Sequence, residues 1–503
     1  MASSMALTTR RLAALIFFIG LFAMATRVAV DSDTFWHLRA GTWMLDNGRL
    51  LNFDAFSHTR AGAEWINHSW LSEIPMAILY RLFGFGGLNL ATALIVWLTF
   101  FAVYHSGSGG SYLRAFIIVL AATASAVYWS ARPQIVSLLF TALFGYILIL
   151  YRQRGVNRLW LLPLLMLLWV NLHGGFAIGF ILLGVTFVGE LIHWLVAWAT
   201  TQGRTYTQGW ATTQGRPYGW AWLGAIGVLC VMAVLFNPYG PQMLFYPFRT
   251  VSIGVLQNYI QEWQSPNFHA REAQVFIVLW LATFAAVGFS RLRLSVTDFL
   301  SFAAFSALAL LAARNIAVFA VVAAPILMRH ADVALAELQA RFPKLKIADS
   351  RTPPPRRLTV LNWTLLGVVV ATATVKVALP LAPATTASAI AATSPVGAAN
   401  YLKQSPTSGP MFNSYNFGGY LAWALYPDLP VYVDGRTDLY DDEFLTEYLN
   451  VYTTGPGWEK TLAERGIKVV VTEAASPLAR ALLQTPGWSA RYSDPLAVVL
   501  VNP

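Results

Sequence analysis

Between residues 12 and 380 the chain is a succession of long apolar stretches, interrupted by short polar segments. A helix crossing a bilayer needs ~20 apolar residues, because no water is available there to satisfy an exposed backbone. Eleven such stretches can be read, at 12–30, 86–104, 113–130, 134–151, 159–171, 175–198, 220–236, 273–290, 296–313, 315–329 and 358–380. Overall, 56% of the 503 residues are hydrophobic and 12% charged, against about 25% charged in a soluble domain. The chain is therefore predicted to be a polytopic α-helical membrane protein.

The net charge of +10 comes from loops. Basic residues cluster at Arg10 and Arg11, at Arg152, Arg154 and Arg158, at Arg204 and Arg216, and at Arg291 and Arg293. A further group in 330–357 holds Arg341, Lys344, Lys346, Arg351, Arg356 and Arg357. These fall on alternate connections, which is the positive-inside pattern rather than a nucleic-acid face. It places the N-terminus in the cytoplasm, and an odd number of crossings places the C-terminal segment outside a cytoplasmic (inner) membrane. A cleaved signal peptide is the alternative for the first stretch, but Arg27 and Val28 interrupt any small-x-small cleavage site. The single cysteine, Cys230, excludes an intramolecular disulfide and a multi-cysteine metal site. The repeat of Trp198–Arg204 at Trp210–Arg216 reads as a duplication in a tolerant loop, since two copies are too few for a solenoid.

The predicted organisation is a transmembrane domain over 1–380, with a first outer loop at 31–85, a linker rich in Ala, Thr and Pro at 381–398, and a small extracytoplasmic α/β domain at 399–503. In the tail, Ile467–Val471 and Ala497–Val501 are compact β-branched runs typical of buried strands. Ser476 and Pro477 read as the N-cap and first residue of a helix to Gln484. Val431–Asp434 reads as a strand ending in a polar turn, Asp434-Gly435-Arg436-Thr437-Asp438, that either binds a ligand or is held by an Asp–Arg pair.

On this threading every unusual polar motif lands on the outer face. Asp31-Ser-Asp33-Thr-Phe-Trp-His37 directly follows the first span. Carboxylates two apart can share a divalent cation such as Mg or Mn, or one can act as a base tuned by its neighbour. The bland reading is solvated carboxylates with Asp33 capping the helix that follows. The same loop continues with His58, Glu64, Asn67, His68 and Glu73, and carries two interfacial helices, one stopped at Asn47-Gly48 and one over Ser69–Phe83. His37, His58 and His68 lack the spacing of a zinc motif. Arg132 and Arg314 stand at outer span ends, where an arginine either snorkels to headgroups or grips a phosphate with its planar fork. Asn237-Pro-Tyr-Gly240 is explained as a turn, whereas His173 in Asn171-Leu-His-Gly-Gly175 is a candidate polar contact or proton shuttle. Glu262 faces the same side, with Arg271 as a candidate partner.

The Asp31–His37 stretch, with Gly41, Asn67-His68 and Trp70, and the tail segments Gly418-Gly419-Tyr420 and Asp434-Gly435-Arg436, resemble a bacterial branch of the GT-C glycosyltransferases. That superfamily includes protein O-mannosyltransferases, aminoarabinose transferases and oligosaccharyltransferases. The resemblance implies a polyprenyl-phosphate sugar as donor, drawn from the lipid bilayer, a hexosyl- or pentosyltransferase activity, and an acceptor that is a glycan, lipid or protein. It implies that the outer-loop aspartate is the base, a position matched by Asp33 or Asp31, with His37, Glu64, His68, Arg132, His173, Glu262 and Arg314 as substrate-binding candidates. Oligosaccharyltransferases carry Trp-Trp-Asp-Tyr-Gly in the tail; the nearest stretch here, Tyr415–Tyr420, lacks the Trp pair and the Asp. Two rival readings stay open: a transporter or flippase, which would place its site at mid-membrane, and a non-catalytic envelope assembly protein on the same scaffold.

Overall fold

The computed structural model describes residues 7–201, 219–342 and 355–502. Most of the tandem repeat, with Arg204 and Arg216, and Lys344, Lys346 and Arg351 of the large basic loop lie outside the described residues. A helix occupies each of the eleven predicted stretches. Six helical segments are long and apolar enough to cross a membrane: Trp70–Ser106, Ser111–Tyr128, Gln134–Arg154, Gly174–Thr200, Ala313–Arg341 and Arg357–Leu381. Four shorter apolar helices accompany them. The protein is thus a multi-pass membrane protein. Leu161–Leu172 has 12 residues, which at 1.5 Å per residue is well short of a ~30 Å hydrocarbon core.

Helix Ile316–Arg341 is the axis of the bundle. Its side chains from Ile316 to Met328 are buried almost without a break, and repeated alanines let Ser111–Ser125, Arg271–Phe289 and Val296–Leu311 pack closely on it. Arg356–Leu381, by contrast, is peripheral and packs chiefly on Thr9–Ala25. At one end of the bundle Arg152 pairs with Glu190 at 3.0 Å and Asp298 at 3.4 Å, and Arg329 also pairs with Asp298. This cluster staples four helices together. Arg152, read as a loop residue, is therefore a partly buried structural contact at the end of helix Gln134–Arg154.

The opposite end carries the first loop and the tail. Helix Ser32–Asn47 is capped by Asp31, not by Asp33: Asp31 Oδ1 accepts the N–H groups of Asp33 and Thr34, while the Thr34 hydroxyl accepts the Asp31 N–H. This reciprocal cap leaves the Asp33 carboxylate free inside the first turn. The helix stops at Gly48. Trp70–Ser106 is two helices joined at Gly84, whose φ of 60° and ψ of −157° is a combination open essentially to glycine alone. The kink separates the predicted interfacial helix from the span that follows.

The tail holds a four-stranded sheet of β1 (Met411–Asn413), β2 (Val469–Glu473), β3 (Ser489–Ser493) and β4 (Ala497–Val501) in the order β1-β2-β4-β3, with only the β1–β2 pair parallel. Ser476 caps helix Pro477–Gln484 by accepting the Ala479 N–H. Two features differ from expectation. Val431–Asp434 is not a strand, since Val431 pairs only in an isolated bridge to Ser57. The stretch 381–398 is largely helical, in Pro383–Thr393 and the start of Val396–Gln404.

Tail and first loop share one hydrophobic core. Phe35, Trp36, Phe56 and Trp65 of the loop are buried with Phe417, Leu421, Val431 and Val469 of the tail. At its margin Arg436 is fully buried, bonded to Asp434 at 2.7 Å and to Asp54 of the first loop at 2.7 Å. Its guanidinium lies 4.9 Å from the Phe56 ring centre and 5.1 Å from that of Trp65. In the Asp434–Asp438 turn the Asp–Arg pair forms, and Thr437 and Asp438 beside it face the cavity described below.

Candidate functional site

Five charged side chains from four separate segments converge beneath the tail. Arg132 is placed by its sequence: it precedes Pro133, which disfavours helical backbone at the residue before it, so it stands clear of helix Gln134–Arg154. Its guanidinium touches three carboxylates, with Nε 2.9 Å from Asp31, Nη1 2.6 Å from Asp33 and Nη2 3.1 Å from Glu262. The second oxygen of Glu262 lies 3.4 Å from Arg314, and Arg314 stacks 4.3 Å from the ring centre of Trp263. Arg271, expected beside Glu262, is exposed; the two nearer arginines take that place.

Three carboxylates facing two guanidinium groups cannot all behave alike. Burial pushes the Asp33 carboxyl up to about 6; Arg132 pulls the other way, but Asp31 and Glu262 add to the rise. Burial also opposes the charge on Glu262, yet Arg314 and Arg132 together hold it below the usual carboxylate range. Burial works against the Arg132 charge too, and the surrounding carboxylates outweigh it, so Arg132 stays protonated. The remaining Asp33 oxygen accepts from the Trp36 indole at 3.2 Å. The tail backbone then presses onto Asp33: a Cβ on Gly435 would lie 2.0 Å from Asp33 Oδ1, so a larger residue there would push the carboxyl from its place.

These groups open into a cavity of about 750 Å³, within the range of small-molecule sites. Asp33, His37, His68, Arg132, His173, Glu262 and Arg314 all line it. So do Tyr415, Asn416, Thr437 and Asp438 of the tail, while Leu138, Ile178, Ile181 and Val318 supply an apolar wall from the bundle. Glu64 is not among them: it is exposed, and its backbone bridges to Phe53. An acidic residue in the right loop was not enough to place it, because its neighbour Trp65 takes the inward direction.

The three loop histidines do not form a zinc set. His37 bonds Glu73 at 2.8 Å, His58 bonds the Met411 carbonyl at 2.9 Å, and His68 bonds Tyr246 at 2.6 Å. Nor do Asp31 and Asp33 suit a shared divalent cation, since the Arg132 guanidinium fills the space between them. Among the described residues no group of three His, Cys, Asp or Glu side chains is placed to hold a metal ion. Asn237 is a turn residue, as read: its amide donates to the Val170 carbonyl and to Asn171, and its oxygen accepts the Tyr239 N–H.

Sequence reasoning does not find Tyr246 or Ser137. Tyr246 bridges His68 and Asp438, and Ser137 accepts the Trp169 indole N–H at 2.7 Å and sits 2.7 Å from His173. Neither residue type stands out inside a helix, and their partners lie far away along the chain. Glu73, fully buried four residues into its helix, carries the stronger signal, and it holds both His37 and the Asn67 amide.

No family model matches the sequence, and no curated protein matches it significantly. Solved structures do. The oligosaccharyltransferase of Archaeoglobus fulgidus in its apo form aligns with 99% of this chain and 75% of its own, at a TM-score of 0.58 and 13% identity. A structure of an oligosaccharyltransferase from the same organism, with an inhibitory peptide and a dolichol-phosphate, aligns at 0.52 and 12%, covering 98% of this chain and 74% of that one. ArnT from Cupriavidus metallidurans in the apo state aligns at 0.54 and 15%, over 98% of this chain and 96% of that one. The arabinofuranosyltransferase AftD from Mycobacteria aligns at 0.51 and 13%, over 99% of this chain but 40% of its own. At these identities the likeness is one of architecture, and it extends over nearly the whole chain: this protein has the GT-C fold.

Proposed function

We propose that the protein is a glycosyltransferase that moves a sugar from a polyprenyl-phosphate donor to an acceptor at the outer membrane face, with Asp33 as general base. The observation that carries this reading is a carboxyl poised at about 6, held by Arg132 in the cavity where the GT-C fold gathers its polar loops. The acceptor hydroxyl gives its proton to Asp33 as its oxygen bonds to the sugar's anomeric carbon. The bond from that carbon to the phosphate oxygen breaks, and the phosphate leaves with the electron pair. Attack from the face opposite the phosphate inverts the anomeric centre. Support from the comparison is consistent: one structure with this fold holds a dolichol-phosphate.

The two arginines have different parts in this reading. Arg132 spends all three guanidinium nitrogens on carboxylates and organises the base. Arg314 makes one long ion pair, to Glu262, and is the better placed to receive the departing phosphate with its fork. Replacing either with lysine is expected to lower product formation from a polyprenyl-phosphate sugar about tenfold or more, since an ammonium can neither bridge three carboxylates nor grip a phosphate bidentately. Full activity of Arg314→Lys would remove the phosphate role.

The same reading requires the tail to be extracytoplasmic and the Arg152 cluster cytoplasmic. A reporter active only in the cytoplasm, fused after Pro503, is expected to be silent and one inserted within residues 202–218 active. The opposite pattern would put the site on the cytoplasmic side.

A further inference from the structure

A second group of cavity residues lies apart from the charged cluster, and its hydrogen bonds assign its tautomers. Gly175 N–H donates to His173 Nδ1 at 3.0 Å. An imidazole nitrogen that accepts carries no proton, so the neutral ring holds its hydrogen on Nε2. Ser137 agrees: its oxygen is taken by the Trp169 N–H, leaving the hydroxyl proton for the same Nδ1. Burial keeps the ring neutral by pushing its pKa well below the usual histidine value. His68 is set the other way. The Tyr246 hydroxyl donates to Asp438 Oδ2 at 3.2 Å, because a carboxylate only accepts, and its oxygen then takes a hydrogen bond from His68 Nδ1 at 2.6 Å. The His68 proton is therefore on Nδ1, and its Nε2 is an acceptor.

The two rings stand edge to face with centres 5.7 Å apart, and both line the cavity. Between them the two rings carry one neutral donor, His173 Nε2, and one neutral acceptor, His68 Nε2. The two glycines that follow His173 make this arrangement fit. A Cβ at Gly174 would meet the Tyr246 ring at 2.8 Å and His68 at 3.2 Å, and one at Gly175 would meet Ser137 at 2.6 Å and His173 Nδ1 at 2.8 Å. The His-Gly-Gly motif is thereby accounted for as the floor of this pair rather than as a simple turn.

We infer that His173 and His68 form a subsite for two neighbouring hydroxyl groups of a sugar ring, with Tyr246 and Asp438 as positioning residues that fix the His68 tautomer. This rests on the glycosyl-transfer reading above and adds to it where the sugar is held. A hydroxyl both donates and accepts, so a vicinal diol satisfies the His173 donor and the His68 acceptor together, with no charge to be desolvated. The ring presented is either the donor's own sugar or that of a glycan acceptor.

Binding separates these cases without turnover. The probes are a short-chain polyprenyl phosphate, the same lipid carrying one pentose or one hexose, and the free methyl glycosides, each titrated onto purified full-length protein in nanodiscs. Wild type is expected to bind a sugar-bearing probe more tightly than its sugar-free counterpart. In Tyr246→Phe and His173→Ala that increment is expected to fall about three- to tenfold, the scale of a neutral hydrogen bond, while bare polyprenyl phosphate binds as before. Loss confined to the sugar lipids assigns the subsite to the donor, and loss confined to the glycosides assigns it to the acceptor. An undiminished increment in both variants overturns the subsite alone, as does an equal loss of bare-lipid binding, which would mark a purely structural role. Wild type that binds neither lipid overturns the glycosyl-transfer reading and the subsite with it.

Discussion

Asp33→Asn is expected to reduce transfer at least ~10²-fold, the lower scale for removal of a general base, in a protein that remains inserted and folded. The substitution keeps the side-chain size and one accepting oxygen, enough for either the Trp36 indole or Arg132 but not for both; what it removes for catalysis is the capacity to take a proton. The pH profile sharpens the test. A base must be deprotonated, so with Asp33 at about 6 wild-type kcat/KM should be level above that value and fall roughly tenfold per pH unit below it. Asp31→Asn should be milder in turnover and should shift the acid limb downward, because a neighbouring negative charge would be gone. Full activity in Asp33→Asn would exclude Asp33 as the base, whatever the profile showed.

The second large effect concerns stability. Arg436→Met is expected to destabilise the union of tail and first loop by roughly 3–5 kcal/mol, the usual result of breaking a buried ion pair from one side. Asp54 and Asp434 are both buried, and removing the guanidinium leaves two carboxylates without their cation. The packing of Phe56 and Trp65 against the arginine is lost at the same time. Thermal unfolding and limited proteolysis of the tail are the measurements. An unchanged melting temperature with a protease-resistant tail would show that the ion triad does not hold the domain. Because Gly435 lies against Asp33, activity should fall along with stability.

The helical plan was legible because charge is scarce in this chain and each interruption of the apolar pattern is conspicuous. The same scarcity makes Asp31, Asp33, Arg132, Glu262 and Arg314 visible as candidates, and the structure brings these five together. Their arrangement was not legible. Asp31 and Asp33 are alike in sequence and both reach Arg132, and only the reciprocal cap with Thr34 decides that Asp31 also gives an oxygen to the backbone. Glu64 shows the converse: residue type and loop were right, but the inward direction belonged to Trp65. Val431–Val433 looked like a strand because β-branched residues report burial rather than pairing, and here Val431 is buried in the core shared with the first loop and Tyr432 and Val433 in a second core of the tail. Tyr246 and Ser137 left no trace, since a hydroxyl on a helix is common and its importance lies in partners brought by other elements.

The shared core of first loop and tail has a consequence for synthesis. Arg60 and Asp441, which pair across it, are separated by 381 residues. At about 5–20 residues per second, the loop leaves the ribosome roughly 20 seconds to over a minute before its partner exists. Throughout that interval Phe56 and Trp65 have no tail to cover them and Asp54 has no counter-ion. A chain interrupted anywhere before Arg436 lacks the cation that pairs with Asp54, and with it Thr437 and Asp438 of the cavity wall. The cavity wall is therefore complete only once the tail has been made as far as Asp438.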